Sequence, residues 1–344
     1  MKLLLLAAAG SVLLAQQPRI SNANVETRSF SGSLESTLQA VEPTWFAYAV
    51  KTMPGDHKGC CYDDYRQRAC SLEDRDGGAH VIASSSTAPI PLEDSDTVVA
   101  LFRVMDNKIT RIRMFSLSCP LDGGKRKFVW LTGVPAETSL TYLEKLIRAR
   151  NLAEDTADGA LMLVAQHDTD RADGILDRVA RSDESIKLRE QAIFWMGAAR
   201  GSRSFDNLRK ILARDENEKI RDKAIFAISI SHQPQSISLL IDTAKHDSSP
   251  HVRGQAIFWL AQKAGAQATA TIRDAVDDDP DTQVKKQAVF ALSQLPKEDG
   301  VPKLIEIAKT QKNSEVRKQA MFWLGQSGDP RALALFEQIL LKLQ

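Results

Sequence analysis

The segment QAIFW occupies residues 191–195, returns as QAIFW at 255–259, and returns again as QAMFW at 319–323. KAIFA at 223–227 and QAVFA at 287–291 lie between these copies. Phe194, Phe226, Phe258, Phe290 and Phe322 therefore recur every 32 residues. Self-similarity at such an interval marks a repeat architecture, in which one unit cannot bury its apolar face alone and stacked neighbours complete the core. The residue after each Phe alternates: Trp195, Ala227, Trp259, Ala291, Trp323.

Other columns keep the same phase. Leu188, Ile220, Val252, Val284 and Val316 form one, and Ala192, Ala224, Ala256, Ala288 and Ala320 a second. Met196, Ile228, Leu260, Leu292 and Leu324 form a third. These columns stand at i, i+4 and i+8, which is one face of a helix. Just before them come Ser185, Asn217, Ser249, Asp281 and Asn313. All five are residue types whose side chains accept from the free amides of a first helical turn. Half a repeat away, Leu176, Leu208, Leu240, Ile272, Leu304 and Phe336 mark a second helix, as in FDNLRKIL (205–212) and VPKLIEIA (301–308). Each unit thus reads as a helix pair. DGALMLVAQHD (158–168) aligns with the first-helix motif in degenerate form, and SLTYLEKLIRARN (139–151) with a second helix.

The hydrophobic–Arg pair, the Ala and the Leu in PHVRGQAIFWL (250–260) and SEVRKQAMFWLG (314–325) resemble HEAT repeats, especially the short bacterial HEAT-like (PBS-lyase) type. The resemblance covers residues 137–344, about six helix pairs. It implies an all-α solenoid, a fold that typically serves as a protein-binding scaffold. HEAT-like hydroxylases carry His–Glu pairs that bind iron. This sequence has no His–Glu pair, so that activity is not carried over.

The N-terminal part has a different grammar. MKLLLLAAAGSVLLAQQ opens with one Lys and an apolar run, Leu3–Ala15, too short to span a membrane. It reads as a signal peptide over residues 1–15, so the expected location is periplasmic or secreted. Residues 16–136 show no repeat and read as a small, mostly-β domain. TVVALFRV (97–104) and ITRIRMFS (109–116) suggest a hairpin with one wet face around the turn MDNK, KFVWLTGV (127–134) suggests a strand after a turn at LDGGK, and WFAYAV (45–50) suggests another. Cys60, Cys61, Cys70 and Cys119 all fall here. An even number in an exported chain favours disulfides. Adjacent cysteines rarely join each other, which leaves Cys60–Cys70 with Cys61–Cys119, or Cys60–Cys119 with Cys61–Cys70. The expected fold class is therefore α+β and multidomain: a disulfide-stapled β domain followed by a helical solenoid.

Little in the sequence carries chemistry. The 344 residues have a net charge of +1, with 26% charged and 43% hydrophobic residues, which gives no electrostatic reason to bind nucleic acid. There is no GxSxG, no Walker-type phosphate loop and no HExxH. No catalytic residue, cofactor or metal site is assigned. Asp277, Asp279 and Asp281 alternate like the first ligands of a calcium loop, but Thr282 replaces the required Gly and the closing Glu is missing, so an inter-helix turn is the better reading. Arg189, Arg221, Arg253, Lys285 and Arg317 recur in phase with Asp183, Asp215, Asp247 and Asp279, which predicts an ion-pair ladder. On a helical wheel the Trp/Ala column faces the core or the seam between repeats. The Phe column lies roughly 140° from the core centre, where side-to-side helix packing and a strip gripped by a partner are both open. In the last unit, Leu335, Leu341 and Leu343 suggest an edge for a partner or for self-association. The expected function is that of an exported, non-catalytic interaction scaffold. The alternatives are a thiol-redox or other enzyme centred on the Cys-rich domain, or a factor for cell-envelope assembly.

Overall fold

The computed structural model describes residues 17–53, 60–63, 66–74, 96–149, 153–182 and 185–341. The expected signal peptide, Asp183, Leu343 and much of the Cys-rich loop lie outside these residues. Two compact units divide the chain, residues 1–175 and 176–344.

The first unit is built on a sheet. Its elements in chain order are β1 (Ile20–Ser29), α1 (Leu34–Thr37), β2 (Thr44–Lys51), β3 (Cys61–Asp63), β4 (Arg66–Arg68), β5 (Cys70–Ser71), β6 (Thr97–Met105), β7 (Lys108–Ser116), β8 (Leu121–Thr132), α2 (Ala136–Arg148), α3 (Glu154–Gln166) and the start of α4 (Asp170–Arg181). Strand order is β1-β8-β2-β6-β7, with β5 also on β8, while β3 and β4 form a separate two-stranded ladder. β8 runs parallel to both β1 and β2, while β2–β6 and β6–β7 are antiparallel. Asp106 and Asn107 both take positive φ, 50° and 56°. That is the geometry a two-residue hairpin turn demands and that Asp and Asn tolerate.

Two expectations need correction here, and one strand is new. LDGGK is not a turn before β8 but lies inside it, where Gly124 and Lys125 take positive φ and the register with β1 jumps between Ser21 and Ala23. β1 is a strand that lacks the apolar alternation of the others. Finally, the charged face of β7 is not wet. Arg111 and Arg113 donate to main-chain carbonyls of Ser71, Leu72 and Glu73, and Arg103 donates to the Glu73 carboxylate at 3.0 and 3.2 Å.

The core on one side of the sheet joins Trp45, Ala47, Val99, Leu101, Phe115, Phe128 and Trp130 to Cys70 and Cys119. The disulfides are Cys60–Cys119 and Cys61–Cys70, the second of the two pairings left open by the sequence. Each cross-link restricts the unfolded chain and typically contributes about 2–4 kcal/mol. Glu73 closes this side: Trp45 Nε1 donates to it at 2.8 Å, and Arg126 approaches at 3.5 Å. Partial burial raises its carboxyl, but the bonds from Arg103 and Trp45 outweigh that and hold it below the ordinary range.

On the other side, Tyr48 stacks on Phe102 at 5.6 Å, and Phe102 meets Tyr142 of α2 at 6.2 Å. The buried Ser139 hydroxyl links Tyr48 Oη at 2.7 Å to His167 Nε2 at 2.9 Å. α3 packs on β7 so closely that a Cβ on Gly159 would lie 2.8 Å from Ile112 Cβ. α2 and α3, whose sequences align with the repeat motif, thus cover a sheet in this unit.

The second unit is entirely helical among its described residues. After the end of α4 come α5 (Ile186–Ala198), α6 (Phe205–Arg214), α7 (Glu218–Ile230), α8 (Ser236–His246), α9 (Pro250–Ala264), α10 (Thr269–Asp278), α11 (Thr282–Ser293), α12 (Lys297–Thr310), α13 (Ser314–Gln326) and α14 (Pro330–Leu341). α5, α7, α9, α11 and α13 are the first helices of successive pairs. Their starts follow the capping column. Asn217, Ser249, Asp281 and Asn313 each accept from a first-turn amide, whereas Ser185 makes no such bond. The Ala column is fully buried, and so are Met196, Ile228, Leu260 and Leu292. First helices pack directly on one another along the array, α5 on α7, α7 on α9, α9 on α11 and α11 on α13.

Candidate functional site

Adjacent residues on a helix point about 100° apart, so each first helix offers a Phe on its flank and a Trp or Ala beside it. The structure joins these residues into one ladder. Trp195 meets Phe194 at 5.0 Å, and Phe194 stacks on Phe226 at 6.1 Å. Phe226 meets Trp259 at 4.9 Å, and Trp259 meets Phe258 at 5.0 Å. Phe258 stacks on Phe290 at 6.0 Å, Phe290 meets Trp323 at 5.0 Å, and Trp323 meets Phe322 at 5.0 Å. Offset-stacked and edge contacts at these spacings are the favoured aromatic geometries.

The alternation has a mechanical reading. Where the next unit carries Ala, Phe stacks on Phe. Where it carries Trp, the indole reaches back to the preceding Phe. Beside Ala227 the two helices touch backbone to backbone: a Cβ on Gly197 would lie 2.4 Å from the Ala227 carbonyl oxygen. Ala227 and Ala291 are fully buried, whereas Phe194, Phe226, Phe258 and Phe290 are half-buried and Phe322 is 54% exposed. The Lys223 ammonium sits 5.5 Å from the Phe194 ring centre and 5.3 Å from that of Phe226, within cation–π range. The ladder keeps one flank in solvent along most of the array.

The Arg column forms rungs between pairs. Arg189 pairs with Asp215, Arg221 with Asp247 at 3.3 Å, and Arg253 with Asp279 at 2.7 Å. Each of these Asp residues also accepts from the amide two residues on, at Asn217, Ser249 and Asp281. Arg221 and Arg253 further donate to the main-chain carbonyls of Asp215 and Asp247. The regularity stops at Lys285, where Gln311 holds the Asp position and the Lys donates instead to the Asp277 carbonyl at 2.5 Å, while Arg317 keeps the main-chain bond, to the Gln311 carbonyl. The three alternating carboxylates are all engaged: Asp277 with Arg273, Asp279 with Arg253, and Asp281 as a helix cap. Among the described residues no group of three or more His, Cys, Asp or Glu side chains is placed to hold a metal.

The C-terminal edge differs from the expectation. Leu335 is buried at 4% exposure because it turns inward from α14, so it is not part of an exposed edge. Leu341 is 70% exposed, with Leu333 and Leu340 beside it on the same helix. No helix among the described residues is long and apolar enough to cross a membrane.

Capped helix pairs at a 32-residue period, stacked through shared core columns, define a helical-repeat solenoid. The family described as HEAT repeats matches residues 173–261, 237–321 and 269–342, and this part of the chain is a HEAT-repeat region. No curated protein matches the chain. Among solved structures, the YibA protein of Escherichia coli is similar at 20% identity over 60% of this chain and 77% of its own, with a TM-score of 0.36. Human deoxyhypusine hydroxylase is similar at 16% identity over 56% of this chain and 74% of its own, with a TM-score of 0.32. The karyopherin Kap121p, solved bound to the SUMO protease Ulp1p, is similar at 12% identity over 60% of this chain, with a TM-score of 0.41, and the match spans 27% of its length.

Proposed function

We propose that this protein is an exported, non-catalytic scaffold that binds protein partners along the aromatic ladder of its repeat array. The observation that carries the proposal is the continuity of the ladder from Trp195 to Phe322 with one flank left in solvent. Aromatic rings bury much area at small conformational cost and dominate protein interfaces. Export is supported by the apolar run Leu3–Ala15 and by two disulfides, bonds that persist in oxidising compartments.

The test compares capture of envelope proteins by the mature chain and by Phe322→Ser, whose ring is the most exposed of the ladder. Loss of capture with an unchanged melting temperature supports the ladder as the contact surface. Equal capture by both chains removes it. The redox alternative is tested by thiol titration. All four cysteines are paired, so native protein should present no fast-reacting thiol.

A further inference from the structure

We propose that β1 is a self-complementary edge that pairs antiparallel with β1 of a second copy of this chain, about a two-fold axis at Thr27. β1 is the outermost strand of the sheet beside β8, and no described residue bonds to its outer side. The opposite edge, β7, is covered by α3. A ten-residue open edge is a template for another strand unless charge or a bulge blocks it. The bulge in β1 lies at its start, between Ser21 and Ala23, and leaves Ala23–Ser29 in unbroken register.

Backbone direction selects the register. The Phe30 amide donates to the Thr132 carbonyl at 2.8 Å, so Phe30 faces β8. Facing alternates along a strand. Asn24, Glu26 and Arg28 therefore turn their amides and carbonyls to β8, while Val25, Thr27 and Ser29 turn theirs outward. An antiparallel partner must set outward residues against outward residues. With Thr27 opposite Thr27 of the second copy, Val25 meets Ser29 and the outward groups of all three find partners.

Charge selects among the registers that satisfy this condition. In the Thr27-centred register, Glu26 stands opposite Arg28 of the second copy, twice over by symmetry. A slip of two residues one way sets Glu26 against Glu26, and the other way Arg28 against Arg28. Opposite charges across a ladder stabilise it, and like charges directly opposite destabilise it. Both side chains stand in solvent at 41% and 43% exposure, paired with each other on their own strand, and Glu26 is also paired with Lys127 of β8 at 3.0 Å. The edge charges that usually block pairing are here arranged to accept one alignment. An isologous contact of this kind closes as a dimer.

The experiment is sedimentation of the full chain over a concentration range, with Glu26→Arg and Arg28→Glu variants whose melting curves match wild type. Wild type is expected at twice the 38.0 kDa chain mass. Each variant alone sets like charges across the axis and should lose the dimer. An equimolar mixture of the two variants restores opposite charges at both positions and should recover it as a heterodimer. A wild type that stays monomeric at the highest concentration overturns the proposal and leaves an extended peptide as the occupant of the edge. A dimer that both variants retain overturns it too, because association then runs through another surface, such as the exposed leucines of α14.

Discussion

Ala227 is fully buried beside Gly197, where two helices meet backbone to backbone. Ala227→Trp is expected to destabilise the array by at least about 1–3 kcal/mol, the usual cost of overpacking; a thermal melt that does not fall would show that the seam tolerates the ring. Glu73 is the matching position in the first unit. Its folded carboxyl lies below the ordinary 4.5 because bonds from Arg103 and Trp45 outweigh its partial burial. A depressed carboxyl gives stability that is present above the unfolded value and is lost as pH falls through the folded one. Unfolding of this unit should therefore become easier below pH 4.5, and Glu73→Gln should flatten that acid dependence while lowering stability at neutral pH. Denaturant midpoints of both chains across that pH range check it.

Rungs and strands are the scale at which the reading of the sequence divides. The helices were legible because caps, Ala column and apolar columns repeat in one phase, so each unit corroborates the next. β1 was not, because ISNANVETRS lacks an apolar alternation, as an open edge permits. LDGGK misled because two glycines serve a bulge as well as a turn. Sheet order was out of reach: β8, the last strand, lies between the first two, and only long-range pairing determines that. A single helical wheel also separates Phe from Trp, whereas the ladder forms across helices. The Arg column was readable as a ladder, though not where it would fail. That difference is measurable. Arg253 and Asp279 are buried together, so Arg253→Leu strands a carboxylate and is expected to cost on the order of 3 kcal/mol. Lys285→Leu removes a bond to one main-chain oxygen and should stay within about 0.5 kcal/mol of wild type. Equal losses in denaturant titration would mean that the rungs contribute alike.

In the whole repeat unit, stability is a sum of helix-pair terms and nearest-neighbour interfaces. Two kinds of interface alternate here: Phe on Phe with a buried Ala, and Phe on Trp. Excising residues 218–249 would bring α9 against α5 and set Trp259 where Ala227 meets Gly197. Excising 218–281 instead brings α11 there, with Ala291 in the matching place. The longer deletion is expected to melt cooperatively and the shorter one at lower temperature; the reverse order in calorimetry would show the interfaces to be equivalent. The alternation of rings thus imposes a parity rule on the length of the array. It can be cut or extended cleanly only by two helix pairs at a time, so a designer who splices modules from this chain must count in 64s, although the sequence counts in 32s.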